Sequence, residues 1–271
     1  MSKKKLGFIG CGNMSGAILD GIVDSGVLEA SAMIVFDINE KAKNHAREKG
    51  VEIAADLAEV CSTSEMILLG VKPNITKAVL NEIGQYLDGK PLISIVAGIS
   101  GDTLSQWANA NIRVLRTMPN APAMVGAGAT VFCSDTTFTE EEKREAEKIF
   151  ESVGIVEWVP EKLIDAVTGL SGGGPAYAAM FIEALTDGAV LEGLPRVTAY
   201  RLAAQTVLGA AKMILDTEIH PGALKDMVCS PGGTTIEGVK ALEDGGMRSA
   251  VIQSILSSSN KSRNLGKLIE K

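Results

Sequence analysis

The sequence LGFIGCGNMSG at residues 6–16 decides the fold of the amino-terminal half. A short apolar run, Leu6–Ile9, predicts a strand, and a glycine turn and a predicted helix follow it at once. In the G-x-G-x-x-G pattern, Gly10 permits the tight turn and Gly12 lets the backbone approach a pyrophosphate. The helix N-terminus then supplies N–H donors and a positive dipole end for that anion. Ser15 occupies the third small position, where serine still permits close packing of the helix on the strand.

The context of this turn indicates a dinucleotide site rather than a purely structural glycine turn. A second predicted strand ends in an acid, Asp37, at the position where a carboxylate would hydrogen-bond the ribose hydroxyls of the adenosine. An acid there favours NAD because it repels a 2′-phosphate, whereas Asn39, Lys41 and Lys43 could soften that preference. Asp37 is equally well explained as the N-cap of the next helix. The sequence therefore leaves the phosphate state of the cofactor open.

Short apolar runs alternate with amphipathic segments through the first half of the chain. Such runs, separated by helices, indicate βαβ units and a parallel sheet that is covered on both faces. After Pro160 the strand-like runs give way to long helical stretches. The sequence thus predicts an α/β, Rossmann-like dinucleotide-binding domain at residues 1–159 and an all-α domain at residues 160–271. The predicted strands are 6–9, 32–36, 66–69, 92–96, 112–115 and 154–159, and the predicted long helices of the second half are 174–192, 195–216, 234–242 and 247–269.

The predicted helix at residues 176–191, AYAAMFIEALTDGAVL, is apolar almost all round. A helix of this kind is buried on most of its sides. A domain of about 110 residues leaves little material to bury it within one subunit. We therefore predict that helices from two subunits interleave, with a compact monomeric bundle as the alternative.

Composition excludes several classes of partner. The formal charge of −7 argues against binding to nucleic acid or to an anionic membrane surface. The most apolar stretch is interrupted by Glu183 and Asp187, short of the roughly 20 apolar residues that a membrane span needs. Four widely spaced cysteines without a C-x-x-C pair predict neither a metal site nor a disulfide framework. We expect a reducing, cytoplasmic compartment.

A second glycine-rich loop, SPGGTT at residues 230–235, precedes a predicted helix. Consecutive glycines before a helix expose several N–H groups at its positive end, which suits a carboxylate or a phosphate. Two threonine hydroxyls add donors there. Helix capping by these threonines is the alternative, but capping does not require two adjacent glycines. The loop therefore predicts an anion site.

Few side chains in this sequence are suited to protonating an alcohol oxygen. Of the two histidines, His45 lies in a charged helical stretch and His220 precedes a proline in a turn. Reduction of a carbonyl needs a positioned acid, and β-hydroxy-acid dehydrogenases carry a lysine on the first long helix of their second domain, where residues 176–180 have none. A protonated imine is already electrophilic, so its reduction needs mainly positioning and exclusion of water. The sequence favours imine reduction.

These residues, taken together, resemble the pyrroline-5-carboxylate reductase family over the whole chain. The matching segments are GFIGCGNM (7–14), VKPN (71–74), SIVAGI (94–99), RTMPNAP (116–122), LIDAVTGLSGGGPAY (163–177), GLPR (193–196), HPGALKD (220–226) and SPGGTTIEGVKALE (230–243). The resemblance implies reduction of L-Δ1-pyrroline-5-carboxylate to L-proline with NADP (NADPH), or NAD (NADH) as the alternative. It also implies a homodimer with interleaved helical domains as the building block, sometimes assembled into decamers.

The resemblance further implies roles for single residues. The substrate carboxylate would be bound by the second loop, at Ser230, Gly232, Gly233, Thr234 and Thr235, and Thr235 would also hydrogen-bond the ring nitrogen and orient or relay its proton. Glu161 matches a family acid near the substrate, or is a first-turn acid beside Pro160. Asp56 replaces a frequent asparagine near the adenosine. The implied cofactor-binding residues are Ile9, Gly10, Cys11, Gly12, Asn13, Met14, Asp37, Asp56, Gly70, Val71, Lys72, Pro73, Ala97, Gly98 and Asn120.

Overall fold

The computed structural model describes residues 3–269, and the side chains through residue 266. The strands among these residues are β1 Lys4–Ile9, β2 Met33–Phe36, β3 Glu52–Ile53, β4 Ser64–Leu69, β5 Pro91–Ser94, β6 Arg113–Met118, β7 Gly128–Cys133 and β8 Gly154–Val159. The helices are α1 Asn13–Ser25, α2 Glu40–Glu48, α3 Leu57–Thr63, α4 Pro73–Ile83, α5 Gly101–Ala108, α6 Glu140–Glu151, α7 Ile164–Val167, α8 Gly174–Leu191, α9 Arg196–Thr217, α10 Pro221–Val228, α11 Thr234–Asp244 and α12 Met247–Ile269.

The strands form one sheet in the order β3-β2-β1-β4-β5-β6-β7-β8. Every neighbouring pair is parallel except β6 and β7, which run antiparallel. The fold class predicted from the sequence is confirmed: a Rossmann-like α/β region precedes an all-α region. The observed elements that are not predicted from the sequence include the strand at residues 128–133, the short strand β3 and the helices α3, α5 and α10.

The antiparallel pairing of β7 has a simple cause in the chain. The connection from Met118 to Gly128 holds only a 3₁₀ turn at Ala121–Val125. A parallel crossover needs a dozen or more residues and usually a helix. The short connection therefore returns β7 beside β6 in the opposite direction, with Thr117 paired with Phe132.

Both faces of the sheet are buried, as predicted. Neighbouring residues of β1 point to opposite faces, and each enters its own apolar cluster. Phe8 packs with residues of α1 and α6, while Ile9 packs with residues of α3, α4 and α5. Both side chains are fully buried. This arrangement explains why the strand is apolar along its length rather than alternating.

The chain divides into two compact units. One runs to Gly172 and takes in the chain from Ser257 onward, and the other is Gly173–Leu256. The segment after β8 belongs to the first unit because Ile164 packs against Val131 and Cys133 of the sheet. The predicted domain boundary after residue 159 stays a prediction.

The second unit leaves much apolar surface uncovered within one chain. In α8, only Thr186 is buried. Met180 and Leu191 of this helix are 68% and 87% exposed, and Val197 of α9 is 75% exposed. An apolar surface of this extent marks an interaction site. Within a single chain, α8 is therefore largely exposed, although its apolar composition is typical of a buried helix.

Candidate functional site

The glycine turn between β1 and α1 has a backbone that requires glycine. Gly10 has a φ of +85°, and its N–H donates to the carbonyl oxygen of Phe36 at 2.9 Å. A Cβ atom at this position would lie 2.9 Å from the carbonyl oxygen of Gly70. A side chain there is therefore excluded both by the conformation and by the close approach of the β4 end.

The N-terminus of α1 is open. Gly12 is its N-cap, in extended conformation, and provides no side-chain hydrogen bond to the first turn, which also contains no acid. A Cβ atom on Gly12 would meet nothing within 4 Å. The first N–H groups of a helix have no partner within the helix. Those of α1 are therefore arranged to bind an anion such as a diphosphate.

Ser15 performs the packing role expected of the third small position. It is 1% exposed, and a Cβ atom on Gly70 would clash with its Oγ. The Ser15 hydroxyl has no hydrogen-bond partner within residues 3–269. Helix α1 and the end of β4 are thus in close contact beside the turn.

Asp37 connects the glycine turn to the segment after β2. Its Oδ2 accepts a hydrogen bond from the Cys11 N–H at 2.6 Å, and its Oδ1 accepts one from the Asn39 N–H at 2.7 Å. Helix α2 is capped by Asn39, whose side chain accepts from the Lys41 N–H. The interpretation of Asp37 as the N-cap is therefore wrong. Its predicted contact with the ribose stays a prediction.

The other predicted cofactor residues follow the carboxyl ends of β4 and β5. The Gly70 N–H donates to the Ile9 carbonyl oxygen at 2.9 Å, and Lys72 and Pro73 begin α4. Gly98, after β5, has a φ of +77°. Because β1, β4 and β5 are adjacent and parallel, their ends meet at one edge of the sheet. In open α/β sheets that edge binds the ligand.

Asp56 and Asn120 carry structural hydrogen bonds. The Asp56 carboxylate caps α3 by accepting from the Glu59 N–H at 2.8 Å. The Asn120 amide donates to the Ser171 carbonyl oxygen at 3.0 Å and accepts from the Ala129 N–H at 2.8 Å. Their predicted contacts with the cofactor stay predictions, and both side chains also stabilise the fold through these hydrogen bonds.

Glu161 forms an ion pair that the sequence does not reveal. Its Oε1 accepts from Nη1 of Arg116 at 2.7 Å and from the Gly101 N–H, the first residue of α5, at 2.9 Å. The Arg116 and Glu161 side chains are 12% and 23% exposed. These contacts agree with a structural acid after Pro160, and the predicted contact with the substrate stays a prediction. Arg116 carries no sequence signal that would pair it with Glu161, since the two are 45 positions apart.

The second glycine-rich loop presents another open helix end. Gly232 has a φ of +67°, and the Gly233 N–H closes a turn on the Ser230 carbonyl oxygen at 3.0 Å. Gly233 is the N-cap of α11 and gives no side-chain hydrogen bond. Thr234 and Thr235 lie exposed in the first turn, so neither is the N-cap. The loop therefore carries hydroxyl and N–H donors at the positive end of an eleven-residue helix.

The two histidines have structural partners. Nδ1 of His220 accepts from the Gly222 N–H at 3.1 Å and caps α10. Nε2 of His45 lies 2.9 Å from the Asp20 carboxylate, which joins α2 to α1. His220 therefore has a structural role at the start of α10.

The cysteines are free thiols, and three of them are buried. Burial raises the pKa of Cys11, Cys61 and Cys133 to about 12, and the Asp37 charge adds to this effect at Cys11. These thiols are therefore uncharged and unreactive at neutral pH. Within residues 3–269, no cluster of three His, Cys, Asp or Glu residues is arranged to hold a metal ion, and no helix is both long and apolar enough to cross a bilayer.

The glycine turn at the edge of a parallel sheet, followed by a helical unit, defines the class as a dinucleotide-binding protein of the kind found among NAD(P)-dependent oxidoreductases. Comparison with known proteins supports this. Residues 5–98 match the family model described as NADP oxidoreductase, coenzyme F420-dependent, and residues 161–265 match the one described as pyrroline-5-carboxylate reductase dimerisation.

Relatives of known identity match nearly the whole chain. A pyrroline-5-carboxylate reductase from Escherichia coli is 45% identical over 98% of this chain and 99% of its own. The solved structure of a pyrroline-5-carboxylate reductase from Coxiella burnetii has a TM-score of 0.92 at 34% identity, covering 97% of this chain and 99% of that one. That of Plasmodium falciparum pyrroline carboxylate reductase with NADP bound has a TM-score of 0.87 at 32% identity, covering 98% and 99%. The chain belongs to the pyrroline-5-carboxylate reductase family.

Proposed function

We propose that the open N-terminus of α11 binds the carboxylate of the substrate and that the open N-terminus of α1 binds the diphosphate of the cofactor. The reaction follows from the family: the enzyme reduces L-Δ1-pyrroline-5-carboxylate to L-proline, the last step of proline biosynthesis, and is NAD(P)-dependent. The observation that carries the assignment is that both helices begin at a glycine N-cap without a side-chain hydrogen bond.

The residues at the glycine turn fit a dinucleotide. The space around a Cβ on Gly12 is open, and no acid in the first turn of α1 would repel a diphosphate. The bound cofactor supplies the hydride that adds to the imine carbon. The residues proposed to hold it are Ile9, Gly10, Cys11, Gly12, Asn13, Met14, Asp37, Asp56, Gly70, Val71, Lys72, Pro73, Ala97, Gly98 and Asn120.

The second loop is proposed to hold the ring of the substrate. N–H groups of the first turn of α11 and the hydroxyls of Ser230 and Thr234 bind the carboxylate, and Gly232 and Gly233, which have no Cβ atom, let the backbone come close to it. The Thr235 hydroxyl hydrogen-bonds the ring nitrogen and orients its proton. A protonated imine needs no strong acid for its reduction. This agrees with the two histidines, which are hydrogen-bonded to other groups of the protein: His45 to Asp20 and His220 to the Gly222 N–H.

Glu161 is proposed to act through positioning. Its carboxylate already accepts from Arg116 and from the first residue of α5. Arg116 lies in β6, and Gly101 follows β5, whose carboxyl end is also followed by the proposed cofactor-binding residues Ala97 and Gly98. The substrate contact implied by the family resemblance is the alternative, and substitution of Glu161 distinguishes the two, as described below.

The enzyme takes a small-molecule substrate and forms a homo-oligomer. We propose a dimer with interleaved helices as the building block because α8 and α9 expose large apolar side chains. The dimers could assemble further into a decamer. Measuring the mass of the purified protein by light scattering distinguishes a dimer from a decamer. The free cysteines support the proposal of a reducing, cytoplasmic location.

Substitution of Thr235 tests the proposed substrate site. Thr235→Ala should lower kcat with pyrroline-5-carboxylate by one to a few powers of ten, since a hydrogen bond made in the transition state is worth ~1.5–4 kcal/mol. Thr235→Ser keeps the hydroxyl and should restore most of the rate. The decrease in nicotinamide absorbance gives the rate, and circular dichroism checks the fold. An undiminished rate in Thr235→Ala would remove the hydroxyl from the mechanism.

A further inference from the structure

The carboxyl-terminal part of α12 belongs to the unit that contains the sheet. Helix α12 begins at Met247, and the chain from Ser257 onward falls within the first compact unit. Ser259, in this part of the helix, is only 3% exposed. The last turns of α12 are therefore built into the unit that carries the proposed cofactor site.

One hydrogen bond joins this part of α12 to α7. Oγ of Ser262 donates to Oδ1 of Asp165 at 2.6 Å, although the two residues are 97 positions apart. Both residues are half-buried. Ile164, beside Asp165, packs on the sheet with Val131 and Cys133. Because a hydrogen bond to a carboxylate is stronger than one between neutral groups, this bond fixes the last turns of α12 relative to the strands.

The same end of α12 lies against the segment that follows β5. A Cβ atom on Gly266 would lie 3.5 Å from the Gly98 carbonyl oxygen, so the backbone of the helix approaches this segment directly. A glycine inside a helix is unfavourable, and this close approach gives a physical reason for one at residue 266. Gly98 has a φ of +77° and no side chain to hold its segment in place. Packing against α12 therefore restricts the segment.

The order of the strands places Gly98 on the nicotinamide side of the cofactor. Dinucleotides bind across the point where the strand order reverses, with one nucleotide over each half of the sheet. Here that point lies between β1 and β4, with β2 and β3 on one side and β5 and β6 on the other. The adenosine belongs to the half in which β2 leads into Asp37, so the nicotinamide belongs to the half that contains β5.

We propose that the end of α12 supports the nicotinamide segment after β5, and that Ser262 and Asp165 are positioning residues for it. This rests on the proposed placement of the cofactor diphosphate at the turn of residues 10–13. Neither side chain needs to touch the cofactor. Their hydrogen bond holds Gly266 against Gly98, and the segment after β5 then keeps the conformation that receives the nicotinamide.

Removal of either partner of the hydrogen bond tests the proposal. Ser262→Ala and Asp165→Ala should each raise the Kd for NADPH and NADH roughly 3- to 10-fold, the range for one hydrogen bond. The double variant should bind no more weakly than the single ones, because both substitutions remove the same bond. Asp165→Asn keeps an oxygen that can accept from Ser262 and should retain most of the affinity. ADP-ribose, which lacks the nicotinamide, should bind every variant as it binds the wild type.

The size of the side chain at residue 266 gives an independent test. Gly266→Ala should keep the Kd of the wild type, since a Cβ atom at 3.5 Å from the Gly98 carbonyl oxygen makes an ordinary van der Waals contact. Gly266→Leu should raise the Kd for both cofactors, because the larger side chain would displace Gly98.

The matched control is Asn260→Ala, which removes the acceptor of a hydrogen bond from Arg263 on the exposed side of the same part of α12. It should leave every Kd unchanged. Nicotinamide fluorescence, without substrate, gives the Kd of each cofactor, and calorimetry gives that of ADP-ribose. An unchanged cofactor Kd in Ser262→Ala, losses that add in the double variant, or an equal loss of ADP-ribose affinity overturns the positioning role. A wild-type protein that binds neither cofactor would instead refute the proposed function.

Discussion

The ion pair between Arg116 and Glu161 allows a direct test of what the acid does. Glu161→Gln keeps the shape of the side chain and one carbonyl oxygen, which can still accept from the Gly101 N–H. It removes the charge that faces the guanidinium of Arg116 at 2.7 Å. If Glu161 is a positioning residue, the variant should lose stability and keep its affinity for the substrate.

The expected loss follows from the burial of the pair. Exposed pairs contribute about 0–1 kcal/mol, whereas removal of one partner of a fully buried pair costs about 3–5 kcal/mol. The side chains of Arg116 and Glu161 are 12% and 23% exposed, so the pair lies between these limits. We expect a loss of about 2 kcal/mol in the free energy of unfolding. That corresponds to a decrease in Tm of roughly 4–8 °C for a protein of this size.

Thermal unfolding and steady-state kinetics decide the question together. The control is Glu157→Gln, an exposed acid of β8 for which the described residues offer no ion pair, and its Tm should not change. The KM of Glu161→Gln for pyrroline-5-carboxylate should stay close to that of the wild type. An unchanged Tm combined with a tenfold or larger rise in this KM, roughly the loss of one charged hydrogen bond, would refute the positioning role and support contact with the substrate.

Three further predictions concern the turn, the pH dependence of stability and the thiols. Gly12→Ala should raise the KM for both cofactors and leave Tm unchanged, whereas Gly10→Ala should also lower stability by about 1–3 kcal/mol, since φ is +85° there. Burial pulls the pKa of Glu142 upward, but hydrogen bonds from Arg113 hold the pKa below its usual value. Glu142 therefore stabilises the fold at neutral pH, and denaturant unfolding of the wild type and Glu142→Gln should converge as the pH falls below about 4. A thiol reagent should label native protein at Cys229 alone, as mass spectrometry would show, because the other three cysteines are buried; a second labelled cysteine would contradict this.

The sequence by itself determined the features whose residues are contiguous. A strand, a glycine turn and a helix follow one another at residues 6–16, so the pattern contains the whole geometry of the cofactor turn. The second loop and α11 are continuous in the same way. The apolar composition of α8 also predicted a surface that one chain cannot bury. Composition alone shows how much of a helix surface is apolar and has to be buried against other protein.

Tertiary structure alone decided which groups meet across the chain. The Asp37 carboxylate accepts a backbone N–H from 26 residues away, and Glu161 pairs with an arginine 45 positions earlier. Backbone donors leave no mark in a sequence, because every residue except proline carries one. Whether an acid serves a ligand or the protein therefore depends on which donors the fold brings within about 3 Å of it.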